Sequence, residues 1–291
     1  MSAPLLATKQ SSSARSRHRH TFLIQLKSPT IILGLLVAAA WFVVVMTVSW
    51  WAPYGPLDSV GPRLQSPNAK HWLGTDALSR DVFTRVLYGS RQTLPISVAV
   101  IVCAVTIGGI LGSIAGYAGG WLDTVIMRLV DVTMAFPPIF LAMAIAAALG
   151  PGLRNAFFAM VIVWWPIYAR LLRGQVLSIK HYDHIQAAVS IGAKPGRIVR
   201  KHILPLSFTP ALINATLDLG QVVILTATLS FLGLGAKPPS PEWGSMITEG
   251  AKYFYQWWVA VAPGLAILTI GLAFNFLGDG LRDALDVRGR R

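Results

Sequence analysis

Residues 184–205 read HIQAAVSIGAKPGRIVRKHILP, a basic amphipathic segment set between two of the most apolar stretches of the chain. Ile185, Ala188, Val189 and Gly192 follow the i, i+3, i+4, i+7 spacing of one helix face. Pro195 suits the first turn of a second short helix carrying Ile198 and Val199, and Pro205 marks entry to the next apolar run. The pattern predicts a helix, a bend and a helix, exposing an apolar stripe rimmed by Lys194, Arg197, Arg200 and Lys201. Such a stripe serves a protein partner or rests on anionic lipid headgroups; periodicity alone favours neither.

Around that segment the chain is suited to lipid. Of 291 residues, 54% are hydrophobic and 13% charged, with a mean hydropathy of +0.57, whereas soluble domains carry about 25% charged residues. A spanning helix needs about 20 apolar residues, and the charge-free runs place six spans near 30–51, 94–117, 126–149, 155–172, 208–234 and 257–277. The runs on either side of Asp218 join into one helix because neither has turn signals of its own, and Arg170 snorkels from the end of the fourth span. An all-α polytopic membrane protein is the expected class. Six spans put both termini on one side. With that side inside, 17 of the 25 Lys and Arg residues lie within and 8 outside, so the positive-inside rule places both ends in the cytoplasm. The net charge of +13 and pI near 10.4 are accounted for without nucleic acid.

The expected organisation is a disordered basic cytoplasmic arm at 1–29, a first span at 30–51, an extracytoplasmic loop at 52–92, a core at 93–287 and a cytoplasmic tail at 288–291. The core holds the other five spans, a loop at 178–205 that contains the opening segment, and an outer loop at 235–256. The first span reads as an uncleaved anchor, because its apolar run of about 22 residues exceeds a signal peptide's and ends in Trp50-Trp51. Val82, Phe83, Val86 and Leu87 recur at helical spacing, predicting a helix on the membrane surface. Gly108, Gly112, Gly116 and Gly120 form a flat face for close helix packing. Cys103 is the only cysteine, which excludes an internal disulfide and a CxxC redox pair.

Few residues suggest chemistry. Asp218 sits about ten residues into the fifth span, where a carboxylate faces a pore or makes a structural hydrogen bond, with a residue such as Asn214 or Gln221 or with a partner chain. Asp123, Arg128 and Asp131 near the third span suggest a clamp, with Arg128 and Asp131 paired at i, i+3. His181 and His184 in KHYDH lack a third soft ligand, so no metal site is expected. PPSPEW at 238–243 reads as a stiff outer loop that presents Glu242 and Trp243, either to an extracytoplasmic protein or for rigidity alone. No Walker lysine loop, HExxH or Gly-x-Ser-x-Gly element occurs, and catalytic residues are not expected.

QAAVSIG at 186–192 followed by ILP at 203–205 resembles the EAA motif of ABC-importer permeases, with Ala187, Ala188, Gly192, Leu204 and Pro205 in register. It departs from that motif at Gln186, where the family has Glu, and at His202. HWLGTDALSRDVFTRVLYGSRQTL (71–94), LSFLGLGAKPPSPEWGSMI (229–247) and PGLAILTIGLAFNFLGDGLRDALD (263–286) look like the peptide/nickel branch, within it the second permease of a dipeptide or oligopeptide importer. The resemblance implies a type I ABC-importer permease fold, a multi-pass place in a bacterial plasma (inner) membrane, and no enzymatic activity in this chain. It also implies partners: a homologous permease, cytoplasmic ABC ATPase subunits that hold ATP and Mg2+, and an extracytoplasmic substrate-binding protein. Ile185, Gln186, Ala187, Ala188, Gly192, Leu204 and Pro205 would couple the spans to the ATPase. Nickel chelates, glutathione or another delivered ligand are alternative cargoes. An ion-gradient-driven secondary transporter, the rival class, would show several intramembrane carboxylates or a repeat, and Asp218 is nearly alone.

Overall fold

The computed structural model describes residues 28–285, all helix and loop apart from two isolated bridges, Ser59 with Arg80 and Thr75 with Asp81. The basic arm, save its last residues, and the tail at 288–291 lie outside the described residues. Among the described residues five helices are long and apolar enough to cross a membrane, and a pair bent by 93° makes a sixth where the two are counted as one span.

Helix α1 (Pro29–Trp51) starts on a Ser28 cap with Pro29 in its first turn. It is apolar all round and buries only Ile31, Gly34 and Val48, so most of its surface is left for lipid or another chain. Helix α2 (Val82–Ala118) runs 37 residues from an Asp81 cap whose side chain accepts from Thr84 N at 2.8 Å. At 1.5 Å per residue it is about 55 Å long, well beyond the roughly 30 Å hydrocarbon core. Its first turns therefore stand outside the bilayer. The surface helix expected near residue 82 is instead the start of α2, with Val82 and Val86 packed against Trp243, Met246 and Trp258. The apolar spacing was real, but protein rather than lipid covers it.

Helices α3 (Gly120–Met134) and α4 (Pro138–Leu149) replace the single straight span expected at 126–149, meeting at 93°. Pro137 and Pro138 cause the break, since neither offers an N–H to the helix ladder and Pro137 is extended (φ −57°, ψ 132°). Helix α5 (Leu153–Ile179) is the most enclosed span. It packs along α2 through the glycine face: a Cβ at Gly108 would overlap the Trp165 carbonyl oxygen, and one at Gly112 that of Ala169. Gly116 meets Val176 in the same way, whereas Gly120 faces open space and begins α3.

After α5 come α6 (Asp183–Ser190), α7 (Pro195–Ile198), a π-helical turn at Val199–Ile203, and α8 (Leu204–Phe231). A short helix α9 (Trp243–Gly250) then leads to α10 (Trp258–Leu285). Because α2 and α5 run parallel, α6 and α7 lie at one end of the bundle, while α9, the start of α2 and the 52–81 loop lie at the other. The central core joins α2, α4, α5 and α8 through Val100, Ala104, Ala142, Met160, Tyr168 and Val222.

Candidate functional site

Helix α6 is joined to the spans by a small core of its own. Ile185 is 1% exposed and packs with Val176 and Ile179 of α5, Ile198 of α7 and Ile203 of the π turn. Burying one such side chain is worth about 1.5–3 kcal/mol, so Ile185 anchors the segment rather than contacting a partner. Gly192 ends α6 at φ +78°, with its N–H on Val189 O and that of Ala193 on Ala188 O. An L side chain is strained there, which is the physical reason for glycine. Ala187 is exposed, Ala188 half-buried, and Ile191 at the tip is 85% exposed.

Gln186 is exposed and donates from Nε2 to the Lys180 carbonyl at 2.8 Å, closing the C-terminal end of α5. A glutamate could accept but not donate there. Pro205 supplies no N–H in the first turn of α8, and Leu204 N bonds to Val199 O across the π turn. Leu204 also lines an apolar cavity of about 280 Å³ between α2 and α7, together with Ile110, Ile114, Tyr117, Pro195 and Val199.

At the same end, Arg173 of α5 forms a two-pronged pair with Asp123 of α3 (2.5 and 2.7 Å), and Arg170 meets Asp131 at 2.6 Å. The expected Arg128–Asp131 pair is thus replaced by two pairs between helices. Arg170 and Asp131 are both half-exposed or more, so theirs contributes about 1 kcal/mol or less.

Asp218 sits midway along α8, half-buried, and its Oδ2 accepts from the Tyr168 hydroxyl of α5 at 2.7 Å. Neither neighbour anticipated for it takes that role: Asn214 donates to Pro210 O of its own helix, and Gln221 is exposed. Trp164, one turn before Tyr168, also turns its buried indole N–H toward the carboxylate, short of full hydrogen-bond geometry among the described residues. A charged group at mid-membrane costs about 2.5–3.5 kcal/mol on insertion scales. A single tyrosine bond offsets part of that.

The opposite end corrects the reading of PPSPEW. Glu242 and Trp243 are fully buried, so within this chain neither is presented to a partner. Trp243 donates from Nε1 to Val86 O at 2.8 Å and stacks edge-on with Trp41. Glu242 caps α9, accepting from Gly244 N at 3.0 Å and Ser245 N at 2.9 Å, with Thr93 Oγ1 nearby at 3.4 Å. Burial pushes its carboxyl above the ordinary 4.5, while these bonds pull it down.

Beside it lies a network that sequence spacing did not reveal. Arg80 bonds Asp76 at 2.7 Å and Glu249 at 2.8 Å, Arg85 stands 3.4 Å from both acids, and His71 bonds Asp81 at 2.9 Å. These groups fasten the 52–81 loop onto α2 and α9. The S-R-D run at 79–81 was visible, but its partner Glu249 is 169 residues from Arg80.

The model of the family described as "Binding-protein-dependent transport system inner membrane component" matches residues 108–291. The chain is 42% identical to the dipeptide transport system permease protein of Alkalihalophilus pseudofirmus, over 94% of this chain and 91% of that protein. It is 42% identical to the probable D,D-dipeptide transport system permease protein of Escherichia coli K12, over 89% and 88%. The glutathione transport system permease protein of Pectobacterium atrosepticum is 44% identical, over 86% of each. Among solved structures, the methionine ABC transporter in an inward-facing conformation superposes with a TM-score of 0.56 at 23% identity, over 69% of this chain and 96% of that one. That likeness shows the type I permease fold.

Proposed function

The chain belongs to the family of binding-protein-dependent transport system inner membrane components, and on that premise we propose that it forms, with a homologous permease, the path for dipeptides or short oligopeptides. It is the membrane-embedded, non-enzymatic permease subunit of an ABC importer. In the proposed arrangement both termini and α6–α7 are cytoplasmic, and an ABC ATPase docks on the exposed side of α6, at Ala187 and Ile191. ATP and Mg2+ are bound by that ATPase. A substrate-binding protein delivers cargo at the end that carries α9.

One observation carries the coupling role: α6 exposes an apolar tip while Ile185 ties it to α5, α7 and the start of α8. Force applied at the tip therefore reaches two spans directly. Glutathione, a tripeptide, is the second cargo reading, because relatives 44% identical to this chain are glutathione permeases. The test is ATP-driven uptake into proteoliposomes holding the chain with its cognate permease, ATPases and binding protein. Uptake of labelled dipeptide with ATP inside the relevant compartment is the expected result. Uptake driven by an ion gradient through this chain alone would refute it.

A further inference from the structure

Asn214, Asp218 and Gln221 lie at i, i+4 and i+7 on α8, which places them on one face of the helix. Asn214 and Asp218 are half-buried and Gln221 is exposed, whereas Val222, Val223 and Leu225 of the same helix are buried. A polar stripe that its own chain leaves open does not face hydrocarbon, where such groups are costly. It is left for water, cargo or a polar face of the second permease.

We propose that this face of α8 lines the translocation path and that Asp218 receives the free α-ammonium of a peptide in transit. The carboxylate is prepared for that contact. Its Oδ2 is held by the Tyr168 hydroxyl, and Tyr168 is itself fully buried, so the donor cannot swing away. Beside Tyr168, the buried Trp164 indole N–H faces the carboxylate without reaching full hydrogen-bond geometry, so the group retains acceptor capacity. The nearest arginines along α5, Arg170 and Arg173, are engaged by Asp131 and Asp123, so no described cation neutralises Asp218. A fixed carboxylate with spare acceptor capacity and no counter-charge suits an ammonium, through a charge-assisted hydrogen bond. A peptide's α-amino group, with a pKa of about 7.7–8.0, supplies one near neutral pH. The inference rests on the peptide reading given above.

The experiment measures peptide uptake per ATP hydrolysed in proteoliposomes holding the complete importer and saturating loaded binding protein. Asp218→Asn keeps the shape and an acceptor for Tyr168 but removes the charge. The expected result is a roughly tenfold fall in uptake per ATP, the loss of one hydrogen bond to a charged group, with binding-protein-stimulated ATP hydrolysis retained and Tyr168→Phe intermediate. Unchanged uptake in Asp218→Asn would overturn the inference while leaving the peptide reading intact. Loss of assembly or ATP hydrolysis in parallel with uptake would also overturn it, making Asp218 a brace to the second permease. Wild-type importer that hydrolyses ATP and moves no peptide would refute the peptide reading, and the inference with it.

Discussion

Replacing Ile185 by alanine removes the side chain that ties α6 to the membrane helices. Ile185 is 1% exposed and one of only five buried residues in its cluster. Large-to-small changes of this kind cost about 2–5 kcal/mol, and the small cluster has few neighbours able to close the gap. Taking about 3 kcal/mol, and a tenfold change per 1.4 kcal/mol, the open form of the segment becomes roughly 100-fold more populated. Opening of that sort is local. Hydrogen–deuterium exchange of the assembled importer should quicken by about that factor across residues 183–203 and stay unchanged in 96–118 of α2. Uptake per ATP should fall alongside it, because ATPase motion would be absorbed by a loose joint. Val189→Ala, at a position 48% exposed, serves as the control and should do neither. Exchange in 183–203 that rose by less than threefold in Ile185→Ala, with uptake intact, would refute the anchoring argument.

Gln186→Glu and Gln186→Ala should behave alike, since each removes the donor to Lys180 O; the bond is exposed and worth about 1 kcal/mol, so uptake should change by less than about fivefold, as read by initial rates. Gly112→Ala should lower thermal stability in detergent by about 1–3 kcal/mol, because its methyl would overlap the Ala169 carbonyl, whereas Gly109→Ala, facing open space, should not. Glu242 has a folded-state pKa raised by burial above 4.5; the stability it contributes is full below 4.5 and is lost as pH rises through the raised value. Melting curves should show wild type losing ground to Glu242→Gln across that window, and Glu242→Ala weaker than Gln throughout by about 1 kcal/mol for the lost cap.

Membrane class was legible because lipid imposes a length and polarity rule on each helix in isolation, and the charge-free runs obey it without reference to neighbours. Contacts between segments were not legible. Val82 and Val86 show the spacing of a surface helix, but whether lipid or Trp243 covers them depends on a segment about 160 residues away. PPSPEW has the composition of an exposed loop, yet Trp243 and Glu242 are enclosed by α2 and its surroundings. Arg128 and Asp131 stand at pairing distance on one helix, but Arg170 of α5 takes Asp131. The break between α3 and α4 could have been read from Pro137-Pro138, had the apolar run not invited a single span. At the coupling segment the register of Ala187, Ala188, Gly192 and Pro205 was visible, while the division of labour was not: Ile185 faces inward as an anchor and Ile191 outward.

The most direct test of the coupling account is a crosslink from the tip of α6. Ile191→Cys, in a chain whose native Cys103 is replaced by serine, is combined with the cognate importer subunits and treated with a short thiol-reactive crosslinker. Attachment to the ATPase, modulated by nucleotide and absent from a Cys placed at Trp72 near the other end of the bundle, is the predicted result. Attachment of position 191 to the binding protein, or no attachment in a complex that still assembles and transports, would contradict it.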